Sequence, residues 1–366
     1  MRILFFVPRI SGGGAERALS HLANGLVARG HDVIVATITS HNDSYQLDPR
    51  VHRLRLLTPG KTANPLSAVA ANLRRICAIR ATVSRKRPDV VVSFLARTNI
   101  RVLIATSFLR IPVIITEHSS PRFCPIGPIW DLLRRFTYQR AARVVSVSRG
   151  IDDYFHWLPA SKRAVVPNPV APQQANPSVG SAIQIAEDRR LVVAIGRLVP
   201  VKAFDRLIRA FAEVANEHKQ WDLAVLGEGP ERDRLEAMVQ DKRLQGRVYL
   251  PGRVLDVYAV LSKADLFCMS SLSEGFPMVL LEAMHCGVAV LSTDCPTGPG
   301  EIITNGHDGI LIAVNDSASF RKAMHDLMGD SELRSRLAAN ARVSVRRYYL
   351  ENVIKLWEQL LSSVSP

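Results

Sequence analysis

The sequence predicts two successive doubly wound α/β domains. Three observations lead there: short apolar runs recur between helical patterns, a glycine run directly follows the first of them, and a polar segment near mid-chain precedes a second series of the same kind. With 366 residues, 47% hydrophobic and 22% charged, the chain can bury two ordinary cores, which excludes a disordered or fibrous protein.

The opening RILFFVP is a continuous apolar run, as suits a strand covered on both faces of a parallel sheet. Gly12, Gly13 and Gly14 break it before a helical pattern over 15–29; Gly30 ends that helix, and VIVATI over 33–38 is the next strand. VVVSFL (90–95), VIIT (113–116) and VVSVS (144–148) continue the series. After Asn168 the composition turns to Pro, Gln, Asn and Ser as far as Gly180, a segment with little to bury that reads as a hinge. Strands then recur at LVVAIG (191–196), LAVLGEG (223–229), VYLPG (248–252), DLFCMS (265–270) and VAVLS (288–292). The expected boundaries are 1–170 and 171–345 for the two domains, with 346–366 as a helix packing back on the first; the final helical pattern starts near Ser331 and reaches Leu361. Domains of this kind are expected to take their ligand in the cleft between the carboxyl ends of their strands.

The formal net charge of +14 is uneven. Residues 1–170 hold 25 Lys and Arg against 9 Asp and Glu, and the remainder 22 against 24. Such asymmetry points to an anionic partner for the first half: phospholipid, a lipid diphosphate or nucleic acid. The apolar stretch within residues 1–8 is too short for a signal peptide. The best membrane-span candidate, 102–115, is broken by Arg110 and Pro112 and falls short of the roughly 18 apolar residues a span needs. Cys77, Cys124, Cys268, Cys286 and Cys295 show no CxxC pair and no zinc-ligand spacing, and are expected as buried thiols in a reducing cytosol.

Residues suited to chemistry concentrate in loops after strands of the second half. Arg197 ends the first strand and Lys202 lies near the start of the next helix, two cations placed to cradle a diphosphate; alone, such a pair is usually just solvated. In SEGFPMVLLEA, seven mostly apolar residues separate Glu274 from Glu282, which puts Glu274 in a loop and Glu282 two turns into the helix, on nearly the same face. Carboxylates in such surroundings need hydrogen-bond donors, and vicinal sugar hydroxyls are apt ones. TDCPTGPGEII follows another strand, and the backbone amides of Gly298 and Gly300 there suit phosphate oxygens, although Gly/Pro loops are common.

GRLVPVKAFD, LGEGPERDRLEAMV, LPGRV, SLSEGFPMVLLEAMHCGVAVLSTDCPTGPGEII and NGHDGIL together resemble the retaining glycosyltransferases of family 4, which have the GT-B fold: two Rossmann-like doubly wound domains facing each other across a cleft. GGGAERAL, TEHS, VSVSRGI and VVPNPV extend the resemblance over nearly the whole chain. It implies that Arg197 and Lys202 hold the donor diphosphate, Glu282 the nucleotide ribose, and Glu274, within Glu274, Gly275 and Phe276, the transferred sugar. Gly13 and Gly14 would let the first domain's backbone approach the donor phosphates, and His118 matches the family's active-site histidine near the reacting carbon. The family has Gly after the lysine where this chain has Ala203, a methyl that a helical backbone would accommodate.

No Asp-x-Asp occurs, so a metal-free mechanism without cofactor is expected, with leaving-group charge met by Arg197, Lys202 and backbone amides. The resemblance implies retention by front-face attack and a donor that is a nucleotide sugar, with UDP favoured over GDP. The acceptor is expected on the basic N-terminal domain, as a sugar or a polyprenyl-diphosphate-linked glycan. Val69, Leu73, Ile76, Ile79 and Val83 share one helical face, and Ile129, Leu132, Leu133 and Phe136 another flanked by Arg134 and Arg135. Either face suits an anionic membrane, or packing on its own sheet. The expected location is cytoplasmic, peripheral on the inner face of the cytoplasmic membrane. A sugar-nucleotide epimerase or phosphorylase of the same fold remains an alternative, as does a basic nucleic-acid-binding protein, although the latter leaves Glu274 and Glu282 unexplained.

Overall fold

The computed structural model describes residues 1–39, 44–56, 65–171, 188–254 and 256–364. The polar segment read as a hinge, from 172 on, lies outside the described residues. The chain divides into two compact units, Met1–Ala171 with Tyr348–Pro366, and Pro172–Arg347.

The first unit is built on a parallel sheet of β1 (Arg2–Val7), β2 (Asp32–Thr37), β3 (His52–Arg55), β4 (Val90–Phe94), β5 (Val113–Glu117), β6 (Arg143–Ser146) and β7 (Arg163–Val165), in the order β3-β2-β1-β4-β5-β6-β7. Helices α1 (Gly14–Ala28), α2 (Pro65–Lys86), α3 (Ala96–Ala105), α4 (Pro128–Thr137) and α5 (Arg149–Asp152) connect these strands. Ile3 through Val7 are wholly buried, because helices cover both faces of β1, and this is why its sequence is an unbroken apolar run.

The second unit repeats the plan with β8 (Arg190–Ile195), β9 (Trp221–Leu226), β10 (Val248–Gly252), β11 (Leu266–Met269), β12 (Ala289–Asp294) and β13 (Ile310–Ala313), in the parallel order β10-β9-β8-β11-β12-β13. Its helices are α6 (Phe204–Val214), α7 (Arg232–Asp241), α8 (Val257–Leu261), α9 (Met278–Cys286), α10 (Pro299–Ile302), α11 (Ser317–Gly329) and α12 (Ser331–Ser344). On α6, Phe204, Leu207, Ile208, Phe211 and Val214 recur at helical spacing and enter the core, which fixes how the loop before it emerges. In each sheet the order reverses beside the first strand, between β1 and β4 and between β8 and β11, so the loops after these strands part there and leave a crevice for a ligand. Three strands were not expected from the sequence, β3, β7 and β13; all are sheet edges of three or four residues, and β3 and β7, HRLR and RAV, carry little apolar pattern.

The single helical pattern expected over 331–361 is two helices. Tyr349 takes an extended backbone, Val170 N donates to Tyr348 O at 2.8 Å, and Leu350 N donates to Val170 O at 3.0 Å, so the chain leaves the helix to bond the first unit's backbone. Here α12 packs on β12 and α9, whereas α13 (Leu350–Ser362) packs on α1 and sends Val353, Ile354, Trp357, Leu360 and Leu361 into the first unit's core. Gly25 of α1 makes that approach possible, since a Cβ there would lie 2.7 Å from Ile354 Cδ1. Cys268 and Cys295 are buried as expected, and Cys286 partly so. Cys77 and Cys124 are exposed, which corrects that expectation: one lies on the outer side of α2 and the other in the loop before α4. Among the described residues no helix is long and apolar enough to cross a membrane.

Gly25→Leu should cost about 1–3 kcal/mol in denaturant unfolding, because the inserted side chain meets α13. Gly25→Ala should cost less than Gly25→Leu, since its gain in helix propensity partly offsets the close contact with the buried Ile354.

Candidate active site

In the second unit the expected polar residues gather at the carboxyl ends of β8, β11 and β12. Arg197 is exposed just beyond β8, and Lys202 closes the 3-10 turn Pro200–Lys202 that leads into α6. Gly196 lets the lysine stem lie close, since a Cβ there would be 3.3 Å from Lys202 Cε. The ammonium reaches Glu274 Oε1 at 2.5 Å, and Ser271 Oγ donates to the same oxygen at 2.6 Å. Both partners are mostly buried, with side chains 20% and 11% exposed, so the pair sits where electrostatic forces are weakly screened. Hydroxyls stitch the surrounding loops together. Ser270 Oγ donates to the carbonyls of Lys202 and Ala203 at 2.9 and 3.1 Å, Thr293 Oγ1 to that of Ser271 at 2.6 Å, and Thr297 Oγ1 to that of Glu274.

Glu282 is 1% exposed, and Phe276 between the two glutamates is buried as well. The helical relation expected between Glu274 and Glu282 is not found. Glu274 lies in a loop, as expected, but Pro277 caps α9, which starts only at Met278, so Glu282 lies about one turn into the helix rather than two. One turn beyond, burial and the Glu282 charge push the Cys286 thiol up to about 11. Gly298 has φ +91°, and a Cβ there would come 2.8 Å from Pro277 Cδ and 3.1 Å from Gly275 O. A Cβ on Gly300 would come 2.7 Å from Asp294 Oδ1. Loop packing and backbone conformation therefore require Gly298, whatever its amide binds, whereas at Gly300 the exposed Asp294 side chain could move aside.

Ala203 is not in a right-handed helical conformation as the sequence suggested. It has φ +50° and ψ +39°, the left-handed region that glycine occupies at lower cost, and its methyl is buried. Sequence reasoning also missed the support beneath the site. Gly227 (φ +144°) and Gly229 pack so closely on the backbone of Gly196 and Leu198 that any Cβ would overlap it, and Ser271 and Thr297 hold Glu274 from two sides. The glycine spacing in LGEG was the available signal.

In the first unit the glycine run joins β1 to α1. The turn's glycine-requiring residue is Gly12, with φ +108°, whereas Gly13 has an ordinary φ of −91° and Gly14 begins the helix. The buried Glu16 carboxylate accepts from Ser11 N at 2.7 Å and Gly13 N at 3.1 Å, so the Gly13 amide is engaged within the loop. His118 follows β5; its ring stacks on Phe94 at 5.0 Å and its Nε2 lies 3.0 Å from Thr116 Oγ1. Burial pushes the imidazole down to about 3 against the opposing effect of Asn168, which leaves it neutral near pH 7. Beside it, Glu117 is buried, takes hydrogen bonds from the Tyr138 hydroxyl and from Asn99 Nδ2 at 3.3 Å, and has its carboxyl pushed up by burial despite Arg134 nearby. Among the described residues no three His, Cys, Asp or Glu side chains are grouped to hold a metal ion.

Comparison with known proteins decides the family. A model of glycosyl transferases group 1 matches residues 181–344, and one of a glycosyl transferase 4-like domain matches 13–169. The chain belongs to the GT-B glycosyltransferases of family 4 type. This glycosyltransferase is 29% identical to the GalNAc-alpha-(1->4)-GalNAc-alpha-(1->3)-diNAcBac-PP-undecaprenol alpha-1,4-N-acetyl-D-galactosaminyltransferase of Campylobacter jejuni, covering 100% of this chain and 99% of that one. It is 25% identical to the amylovoran biosynthesis glycosyltransferase AmsD of Erwinia amylovora, over 99% of each chain. The solved structure of HepE from Anabaena in complex with UDP and glucose has the same fold, with a TM-score of 0.83, 20% identity and 100% coverage of both chains. The relatives are glycosyltransferases of polysaccharide and lipid-linked glycan synthesis, and they do not favour the epimerase, phosphorylase or nucleic-acid readings.

Ala203→Gly should stabilise the transferase by up to about 1 kcal/mol in thermal or denaturant unfolding, as the left-handed strain is released. The depressed imidazole of His118 gives a second expectation. The unfolded chain binds a proton there below about pH 6.5 that the folded chain refuses until about pH 3, so this contribution is complete above pH 6.5 and is lost as pH falls through that window. His118→Gln should reduce the slope of unfolding free energy against pH between 4 and 6 by up to about 1.4 kcal/mol per pH unit. An unchanged slope would show that the imidazole is not held neutral.

Proposed function

We propose that this glycosyltransferase moves a hexosyl or N-acetylhexosaminyl group from a UDP-sugar to a sugar acceptor carried on a polyprenyl diphosphate. Anomeric configuration is retained, no metal or other cofactor takes part, and the enzyme works peripherally on the inner face of the cytoplasmic membrane. The observation that carries the reading is the mostly buried Lys202–Glu274–Ser271 group at the strand ends of the second unit. A cation and a carboxylate held 2.5 Å apart supply, in one place, a partner for a departing diphosphate and an acceptor for sugar hydroxyls. The Campylobacter relative, by its name, is an N-acetylgalactosaminyltransferase acting on an undecaprenol-diphosphate glycan, which supports the choice of sugar and acceptor class.

In this mechanism the bond between the anomeric carbon and the diphosphate breaks while that carbon bonds the acceptor oxygen, whose proton passes to a donor phosphate oxygen. Arg197 and Lys202 offset the charge that gathers on the leaving group, the largest electrostatic demand of the step. Lys202 exchanges part of its bond to Glu274 for phosphate, and Glu274 turns to the sugar hydroxyls. Glu282 accepts from the ribose hydroxyls, and Gly275, Phe276, Gly298 and Gly300 shape the loops around the donor. In the first unit, neutral His118 serves as a hydrogen-bonding group toward the sugar, and Gly13 and Gly14 line the loop after β1.

Calorimetric titration with UDP and with GDP in the presence of EDTA tests the donor site. UDP should bind and GDP should bind more weakly, and Arg197→Ala or Lys202→Met should weaken UDP binding by roughly tenfold or more, the loss of a charge-assisted contact. Binding of neither nucleotide would remove the donor site, and a requirement for added divalent metal would remove the metal-free mechanism.

A further inference from the structure

Beyond β11 the chain reads Ser270, Ser271, Leu272, Ser273, Glu274, and its first two serines do different things. Ser270 Oγ donates to the carbonyls of Lys202 and Ala203, whereas Ser271, 1% exposed, directs its hydroxyl to the Glu274 carboxylate further along the same loop. The backbone that carries Ser271 is held from two sides. Thr293 Oγ1 donates to its carbonyl at 2.6 Å, and the next amide, Leu272 N, donates to Val201 O at 2.8 Å. Thr297 Oγ1 holds the carbonyl of Glu274. The Ser271 hydroxyl is thus a donor whose place is set by three loops.

The two carboxylate oxygens of Glu274 are used unequally. Oε1 takes both Lys202 Nζ, at 2.5 Å, and Ser271 Oγ, at 2.6 Å. Among the described residues nothing donates to Oε2, and that oxygen is not sealed from solvent. Lys202 reaches Oε1 on a long stem from its 3-10 turn, and among the described residues this is the one hydrogen bond its ammonium makes, which leaves donors open on it. A diphosphate arriving there competes for the cation and repels the carboxylate beside it. Once the ammonium is drawn to phosphate, the Ser271 hydroxyl is the side-chain donor left on Oε1.

We propose that Ser271 is a positioning residue for sugar recognition: it keeps Glu274 Oε1 in place when Lys202 turns to the donor diphosphate, so that Oε2 accepts from the hydroxyls of the transferred sugar. This rests on the donor reading above and adds a division of labour to it. The Lys202–Glu274 pair belongs to the empty site, and the Ser271–Glu274 bond persists in the loaded one. A hydroxyl suits that role because it holds the carboxylate without neutralising it, and without attracting the diphosphate as a second cation would.

The test is calorimetric titration of wild type, Ser271→Ala, Ser271→Thr, Glu274→Gln and the Ser271→Ala/Glu274→Gln double variant. The ligands are UDP and a set of UDP-hexoses and UDP-N-acetylhexosamines, of which the one that wild type binds most tightly serves for the comparison. Ser271→Ala should weaken that UDP-sugar roughly tenfold, the loss of a hydrogen bond to a charged acceptor, and leave UDP within about twofold of wild type. UDP binding also reports that the variant is folded, since Glu274 keeps Lys202 in the empty site. Ser271→Thr, which retains the hydroxyl, should recover most of the lost affinity. In the Glu274→Gln background Ser271→Ala should cost no more than about twofold, because Ser271 acts through the carboxylate. Equal weakening of UDP and UDP-sugar in Ser271→Ala would assign the serine to loop structure alone and overturn the proposal. So would the full loss recurring on top of Glu274→Gln. Wild type that bound neither UDP nor any UDP-sugar would bring down the donor reading and this proposal together, whereas wild type that bound a UDP-sugar no better than Ser271→Ala would bring down this proposal alone.

Discussion

The contact between two strand-end loops of the second unit, 196–198 against 227–229, is made backbone to backbone. Gly196 N donates to Leu226 O at 2.9 Å, Leu198 N to Glu228 O at 2.9 Å, and Glu231 N to Leu198 O at 3.1 Å, with no room for a side chain at Gly227 or Gly229. The direction of Arg197 and the path of the turn carrying Lys202 follow from this packing. Two hydroxyls then extend the order sideways: Ser270 binds the carbonyls that end that turn, and Thr293 binds Ser271, which in turn holds Glu274. A cation and a carboxylate from opposite sides of the sheet's reversal are thereby placed in contact with little freedom left, the preorganisation on which electrostatic catalysis depends.

That order has a local cost. Ala203 sits in a left-handed conformation where the chain turns from Lys202 into α6, and the strain is borne because Leu207, Ile208 and Phe211 anchor the helix behind it in the core. The first unit shows the same logic with charge in place of strain. Glu117, Tyr138, Asn99 and Arg134 form a buried polar group next to His118, tying β5 to α3 and α4. Because Arg134 is spent on the interior, the apolar stripe of α4 is left on the outside. The same arrangement stiffens the strand end bearing His118 and leaves Ile129, Leu132 and Phe136 in solvent.

Much of this was legible in the sequence. Runs such as RILFFVP and LVVAIG report burial on both faces, so the central strands could be read off along the chain, and with them that Arg197, Lys202, Glu274 and His118 lie in or near the loops that follow them. The edge strands β3 and β7 were not legible, since HRLR and RAV are short and carry no apolar pattern. The change at 345/346 was expected only as a domain boundary; the break in the helix there was not legible, because Ser331 to Leu361 keeps helical composition and is interrupted by backbone hydrogen bonds to Val170, a residue far away in sequence.

By itself the sequence determined which groups are available and roughly at which end of which strand they stand, because hydrophobic period and glycine position are local properties. Tertiary structure alone decided how those groups are used. It set the Lys202–Glu274 contact and held the Arg134 side of α4, rather than Ile129, Leu132 and Phe136, against the interior. Each of these depends on a partner distant in sequence or on competition for a buried place, and amphipathic periodicity names the two faces of a helix without saying which one the core will take.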